Sequence, residues 1–111
     1  MEMMTRKDAG VLIVGVKGKM DAITAPEFDK EFCAWTGQDE KSVIFDLAGL
    51  DYISSAGLRS MLAAAKRVKA ADGRLCIFGL RGPVKEVFKL SGFYSIFDVY
   101  ETEAEALQKM R

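Results

Sequence analysis

Short apolar runs alternate with segments of helical period along this chain, and that alternation narrows the fold more than any other feature. Residues 3–7 and 11–17 have strand character, and Asp8-Ala9-Gly10 between them suits a tight antiparallel connection. Residues 18–23 are expected to form a loop. Thr24-Ala-Pro-Glu27 then looks like a helix start, with Thr24 as cap, Pro26 in the first turn and Glu27 completing a capping box. Ala25, Phe28, Phe32 and Trp35 recur at helical spacing and predict one buried stripe. Residues 36–41 form a polar connection. Residues 42–45 make a short apolar strand of the kind buried on both faces of a sheet.

The pattern continues through the second half. A helix over residues 58–71 carries Leu58, Met61, Leu62, Ala65 and Val68 on one side and mostly Arg59, Lys66, Arg67 and Lys69 on the other. Asp72-Gly73 ends it, and Gly73 is the residue expected to take the left-handed cap conformation. Residues 75–78 form another apolar strand. Gly82-Pro83 opens a third helix, with Val84, Val87 and Phe88 facing inward, and Ser91-Gly92 closes it. Residues 96–100 make a last strand. Thr102-Glu-Ala-Glu105 is a second capping box, and it starts a helix with Ala106, Leu107 and Met110 apolar.

The resulting order, β-β-α-β-α-β-α-β-α, predicts an α/β fold. Its sheet is mostly parallel, of four to five strands, made mixed by the first hairpin and packed with four helices. The chain has 111 residues, the size of one domain, so residues 1–111 are expected to share one core without staples. Sixteen basic and sixteen acidic residues cancel, which argues against nucleic acid or an anionic membrane as a partner held by bulk charge. Cys33 and Cys76 are far apart and are expected to be buried, reduced thiols. No secretory segment or membrane-length apolar run is apparent, so a cytoplasmic location is expected.

Function in such sheets gathers at the carboxyl ends of strands. One such end leads into residues 46–58, where Ser54 and Ser55 sit side by side at the start of a helix. Backbone N–H groups there lack partners, and the helix dipole favours negative charge. Ser54 as a plain cap, with Ser55 in the first turn, contributes about 1 kcal/mol. The alternative is a serine that accepts and loses a phosphate. Gly57 in the first turn costs about 1 kcal/mol against alanine, which suggests a close approach to the backbone at that point.

Catalysis has little support. Asp21, Asp46 and Asp51 are placed to converge near the serines, but the chain has no histidine, the commonest general base and metal ligand. No Ser-x-x-Lys spacing replaces it, since Gly57 follows Ser54 and Leu58 follows Ser55 at that offset. Residues 79–85 are glycine-rich and end in Lys85, yet they lack P-loop spacing, and Pro83 removes a backbone donor. Two distant cysteines do not make a zinc site. The expectation is a non-enzyme with no metal, no cofactor and no required small-molecule ligand.

Four segments carry a family resemblance. Asp46-Leu-x-x-Leu50-x-x-Ile53-x-Ser55-x-Gly57-Leu58 resembles the STAS domain of bacterial anti-sigma factor antagonists. Gly18-Lys-Met-Asp21 with Thr24, Gly73-x-Leu-Cys-Ile-Phe-Gly79, and Val84-x-x-Val-Phe-x-Leu-Ser-Gly92 extend the likeness over nearly the whole chain. The resemblance implies partner switching. The unmodified protein binds an anti-sigma factor that is also a serine kinase, and so frees a sigma factor. Phosphorylation of one serine ends the complex, and a serine phosphatase resets it. By position the acceptor is Ser55, with Ser54 as the alternative, and Asp21 is the loop aspartate beside it. Two positions depart from the family's usual pattern: Ser54 stands where an aspartate is common, and Ala56 follows Ser55. Partner contacts are expected from Met20, Asp21, Ile23, Asp51, Tyr52, Ser54, Gly57 and Met61. Some domains of this family are docking or ligand-sensing modules that are never phosphorylated, and this is the second class of function carried forward.

Overall fold

A computed structural model describes residues 1–36 and 41–110. Strand β1 (Glu2–Asp8) and strand β2 (Val11–Met20) form an antiparallel hairpin. Its turn holds Ala9 and Gly10 at φ of 52° and 83°, the positive values that a tight hairpin demands. Helix α1 (Ala25–Thr36) leads towards strand β3 (Ser42–Asp46), which lies parallel to β2. The polar connection expected over residues 36–41 falls largely outside the described residues. Strand β4 (Leu50–Ile53), helix α2 (Ser55–Ala70), strand β5 (Arg74–Phe78), helix α3 (Gly82–Leu90), strand β6 (Asp98–Tyr100) and helix α4 (Glu103–Met110) follow. The sheet order is β1-β2-β3-β5-β6, with β4 paired to the end of β2.

The mixed, mostly parallel sheet and the four helices match the sequence reading, but the described residues form six strands. Residues 18–20 continue β2 instead of beginning a loop, and they pair with β4. Gly18 and Lys19 look like loop residues because the ladder slips at this point, with Gly18 at φ 89°. β4 hides for a different reason. Its four residues are buried only at Leu50 and Ile53, so no period of two is visible. The last strand is shorter than expected, since Phe93–Ser95 form a 3-10 turn before it.

Alternation along the central strands divides the core into two. Leu12, Val14, Val16, Val43, Phe45 and Ile77 face α1, α2 and α3. Val11, Ile13, Ile44, Cys76 and Phe78 face α4 alone. On the first side Phe28, Phe32 and Phe45 pack with ring centroids 5.6 to 5.8 Å apart. Phe88, Phe93 and Phe97 make a second aromatic cluster beneath α3. The stripe predicted on α1 is present, with Trp35 half-buried at its end. Cys76 is buried, which pushes its thiol up to about 11. Cys33 corrects the expectation of two buried thiols: it is exposed, bordering a hollow between α1 and α2.

The end of α2 corrects a second detail. Asp72, not Gly73, takes the left-handed conformation, at φ 59°. Its N–H donates to the Lys69 carbonyl at 3.0 Å, and the Gly73 N–H donates to the Val68 carbonyl at 2.8 Å, which is a Schellman closure. Gly73 is required by space instead, because a Cβ there would sit 2.5 Å from the Lys41 carbonyl oxygen. Asp72→Gly is therefore expected to leave stability unchanged or raise it by up to about 1 kcal/mol. Gly73→Ala is expected to lower it by about 1–3 kcal/mol, as overpacking does. Urea unfolding of the two variants measures the difference.

Candidate functional site

The carboxyl ends of β2 and β4 meet the N-terminus of α2. The Met20 carbonyl, at the end of β2, accepts the Ser54 N–H at 2.9 Å and so fixes where the helix begins. Ser54 is extended, at φ −95° and ψ 177°, and its Oγ accepts the Gly57 N–H at 3.3 Å. Its carbonyl accepts the Leu58 N–H at 2.9 Å. Ser54 is thus the cap, half-buried and engaged. Ser55 is the first helical residue and is exposed. Two adjacent hydroxyls have different environments because one belongs to the cap and the other to the first residue of the helix.

Gly57 is buried beneath them. A Cβ there would lie 2.7 Å from Ile53 Cγ1 and 2.8 Å from the Met20 carbonyl oxygen. The close approach inferred from the sequence is real, but the approaching backbone is the chain's own. Gly57 is buried, so its expected role as a partner contact is corrected to close packing of α2 against the end of β2. Gly57→Ala is expected to lower stability, despite alanine's better helix propensity, because the clash outweighs a gain of about 1 kcal/mol. Thermal unfolding of the variant checks the sign.

Asp21 follows Met20 and organises the turn into α1. Its Oδ1 accepts the N–H groups of Ile23 at 2.9 Å and Thr24 at 3.1 Å. Thr24 Oγ1 accepts the Asp21 N–H at 2.9 Å and donates to the Lys19 carbonyl at 3.0 Å. The helix start is therefore held by a reciprocal Asp21–Thr24 arrangement, where the sequence suggested a Thr24–Glu27 capping box. The Thr24 and Ile23 amides hold the Asp21 carboxyl below its ordinary value of 3.8, against a smaller opposing effect of desolvation.

This turn presents Ile23 to water at 87% exposure, with its own N–H and that of Thr24 both held by Asp21 Oδ1. Tyr52 on β4 is 49% exposed. Met20 and Met61 do not join them. Both are fully buried, so their expected role as partner contacts is corrected to core packing. Asp51 is exposed and pairs with Arg81 Nη2 at 2.8 Å, while Arg81 Nε donates to the Ala48 carbonyl at 2.6 Å. Asp46 Oδ1 accepts the Ala48 N–H at 3.1 Å. Asp21, Asp46 and Asp51 are each engaged in shaping a loop.

Sequence reasoning missed Arg81. It clamps residues 48–51 from thirty positions away, and no local pattern signals such a pairing. Among the described residues, no group of three His, Cys, Asp or Glu side chains is placed to hold a metal ion. No described helix is long and apolar enough to cross a membrane.

The family model of the STAS domain matches residues 2–106. This chain belongs to the STAS domain family. BtrV of Bordetella bronchiseptica, a protein named as an anti-sigma factor antagonist, is 39% identical over 106 residues, covering 96% of this chain and 91% of that protein. The crystal structure of an anti-sigma factor antagonist from Mycobacterium paratuberculosis superposes with a TM-score of 0.90 at 25% identity, covering 99% of this chain and 93% of that one. The Bacillus cell-fate determinant SpoIIAA, solved in its phosphorylated form, shares the STAS fold with a TM-score of 0.76 at 18% identity, over 99% of this chain and all of that one.

The depressed carboxyl of Asp21 has a readable consequence. Its contribution to the loop is complete above the ordinary aspartate range and is lost only as pH falls through the lowered folded value. The amide resonances of Ile23 and Thr24 are expected to stay constant from about pH 7 to about pH 4 and to move together below that. A midpoint at or above the ordinary value would show that the Asp21 hydrogen bonds do not persist in solution.

Proposed function

We propose that this chain is a cytoplasmic, non-enzymatic anti-sigma factor antagonist switched by phosphorylation of Ser55. The observation that carries the reading is the division between the two serines. Ser54 spends its hydroxyl on the Gly57 amide, whereas Ser55 stands exposed at the helix start. A kinase reaches Ser55 without disturbing the cap. Phosphorylating Ser54 would break a cap contributing about 1 kcal/mol. The names of the relatives support the antagonist role.

The partner is an anti-sigma factor with serine kinase activity, and a serine phosphatase reverses the reaction. Docking uses Ile23 and Tyr52 as apolar contacts, with Asp21, Asp51 and the first turn of α2 around them. A phosphate on Ser55 adds a charge of about −1.5 to −2. Within the domain it sits beside unpaired first-turn amides and one turn from Arg59, so the fold tolerates it. In the complex it must be desolvated near Asp21 and Asp51. A hundredfold loss of binding needs only about 2.7 kcal/mol, and no change of fold is required to supply it.

Incubation with a cognate anti-sigma factor kinase and ATP, followed by mass mapping, tests the assignment. Phosphate is expected on Ser55. Modification of Ser54 instead would move the acceptor by one residue, and modification of neither would leave a docking module without a switch. Ser55→Ala is expected to bind the anti-sigma factor constitutively. Ser55→Asp is expected to bind at least about tenfold more weakly, with thermal stability nearly unchanged. Equal binding by Ser55→Asp and the unmodified protein would overturn the electrostatic account.

A further inference from the structure

β1 is an edge strand. Its strand partner is β2, and its other edge faces solvent along seven residues that are mostly exposed. Such an edge is a template for another strand, and charges on it normally decide which pairings are permitted. β1 carries Glu2, Arg6, Lys7 and Asp8. When a strand pairs antiparallel with its own copy, facing residues must either both point their backbone groups across the gap or both point away. The two-fold axis must then pass through a residue, and the two central choices are Thr5 and Met4.

An axis through Thr5 sets Glu2 against Asp8 of the second copy, a like-charge pair made twice. It also sets Met4 against Arg6. An axis through Met4 sets Glu2 against Arg6, an opposite-charge pair made twice, and brings the two Met4 side chains together between those pairs. Glu2, Met4 and Arg6 share one face of the strand, so all three contacts lie side by side. Met4 is 59% exposed, an unusual position for a large apolar side chain at mid-strand. Its neighbour on β2 is Gly15, which leaves a hollow beside it over Ile13. Arg6 already holds Glu103 at the start of α4, and its guanidinium has further N–H donors for a second carboxylate.

We infer that β1 is a self-association edge: a second copy of this chain adds to it antiparallel across a two-fold axis at Met4, joining two sheets into one. The axis reverses strand direction, so the Ser55 ends of the two copies point opposite ways. Both remain open to partners. This goes beyond the phosphoswitch and does not depend on it.

Sedimentation velocity on the full chain over a concentration series is expected to show a monomer–dimer equilibrium. Glu2→Arg alone, or Arg6→Glu alone, places like charges in both flanking pairs and is expected to weaken the dimer by about tenfold. Combining Glu2→Arg with Arg6→Glu is expected to restore it. A register test uses cysteines in a Cys33→Ser background. Directly opposed strand residues have Cα atoms about 4.5–5.5 Å apart, within disulfide range. Met4→Cys is therefore expected to cross-link under mild oxidation, and Thr5→Cys is not. A chain that stays monomeric throughout with no Met4→Cys cross-link overturns the inference. So does cross-linking at Thr5→Cys in place of Met4→Cys, or a double swap that fails to restore the dimer.

Discussion

The hydrogen bond from the Ser54 N–H to the Met20 carbonyl is the contact on which this site depends. It ties the end of β2 to the first residue before α2. Gly57 lies against the same carbonyl, with no room for a Cβ. Together they fix the angle at which α2 leaves the sheet and bring the Asp21 turn beside the serines. Met20 and Met61 fill the interior behind this junction. The surface rests on a layer of buried side chains, Met20, Leu50, Ile53 and Met61.

From that junction the chemistry follows by elimination of freedom. The Asp21 carboxylate, the Thr24 hydroxyl and the Ser54 hydroxyl are all committed to backbone groups. Arg81 does the same for the opposite rim, bridging Ala48 and Asp51. Exposed on this edge, among the described residues, are the Ser55 hydroxyl and the large side chains of Ile23 and Tyr52. A preformed surface of this kind binds without first having to order its loops. An added phosphate acts on it through charge and hydration.

The two faces of the sheet are unequal. Three helices cover one, and a single eight-residue helix covers part of the other. The uncovered part lies towards β1, where Met4, Gly15 and Lys17 border a hollow. The hairpin that makes the sheet mixed therefore also creates an exposed edge. That edge belongs to β1, whereas the Ser55 site is built on the carboxyl ends of β2 and β4 and the start of α2.

Local sequence determined the elements whose signals are contained within a few residues. The hydrophobic stripes of α1 and α2, the Thr102 cap, the Ser91-Gly92 stop and the continuous apolar runs of β3 and β5 are all of this type. So is the position of Ser54 and Ser55 at a helix start. Features that rest on distant pairs were decided only in three dimensions. β4 exists because residues 18–20 offer it a partner. Gly57 and Gly73 are required by the carbonyls of Met20 and Lys41, and Arg81 matters because of Asp51. The same holds for burial: Met20 and Ile23 are both large apolar residues at one loop edge, and nothing local separates them. Backbone periodicity is a property of the chain itself, whereas which side chain meets water is a property of what the rest of the fold places over it.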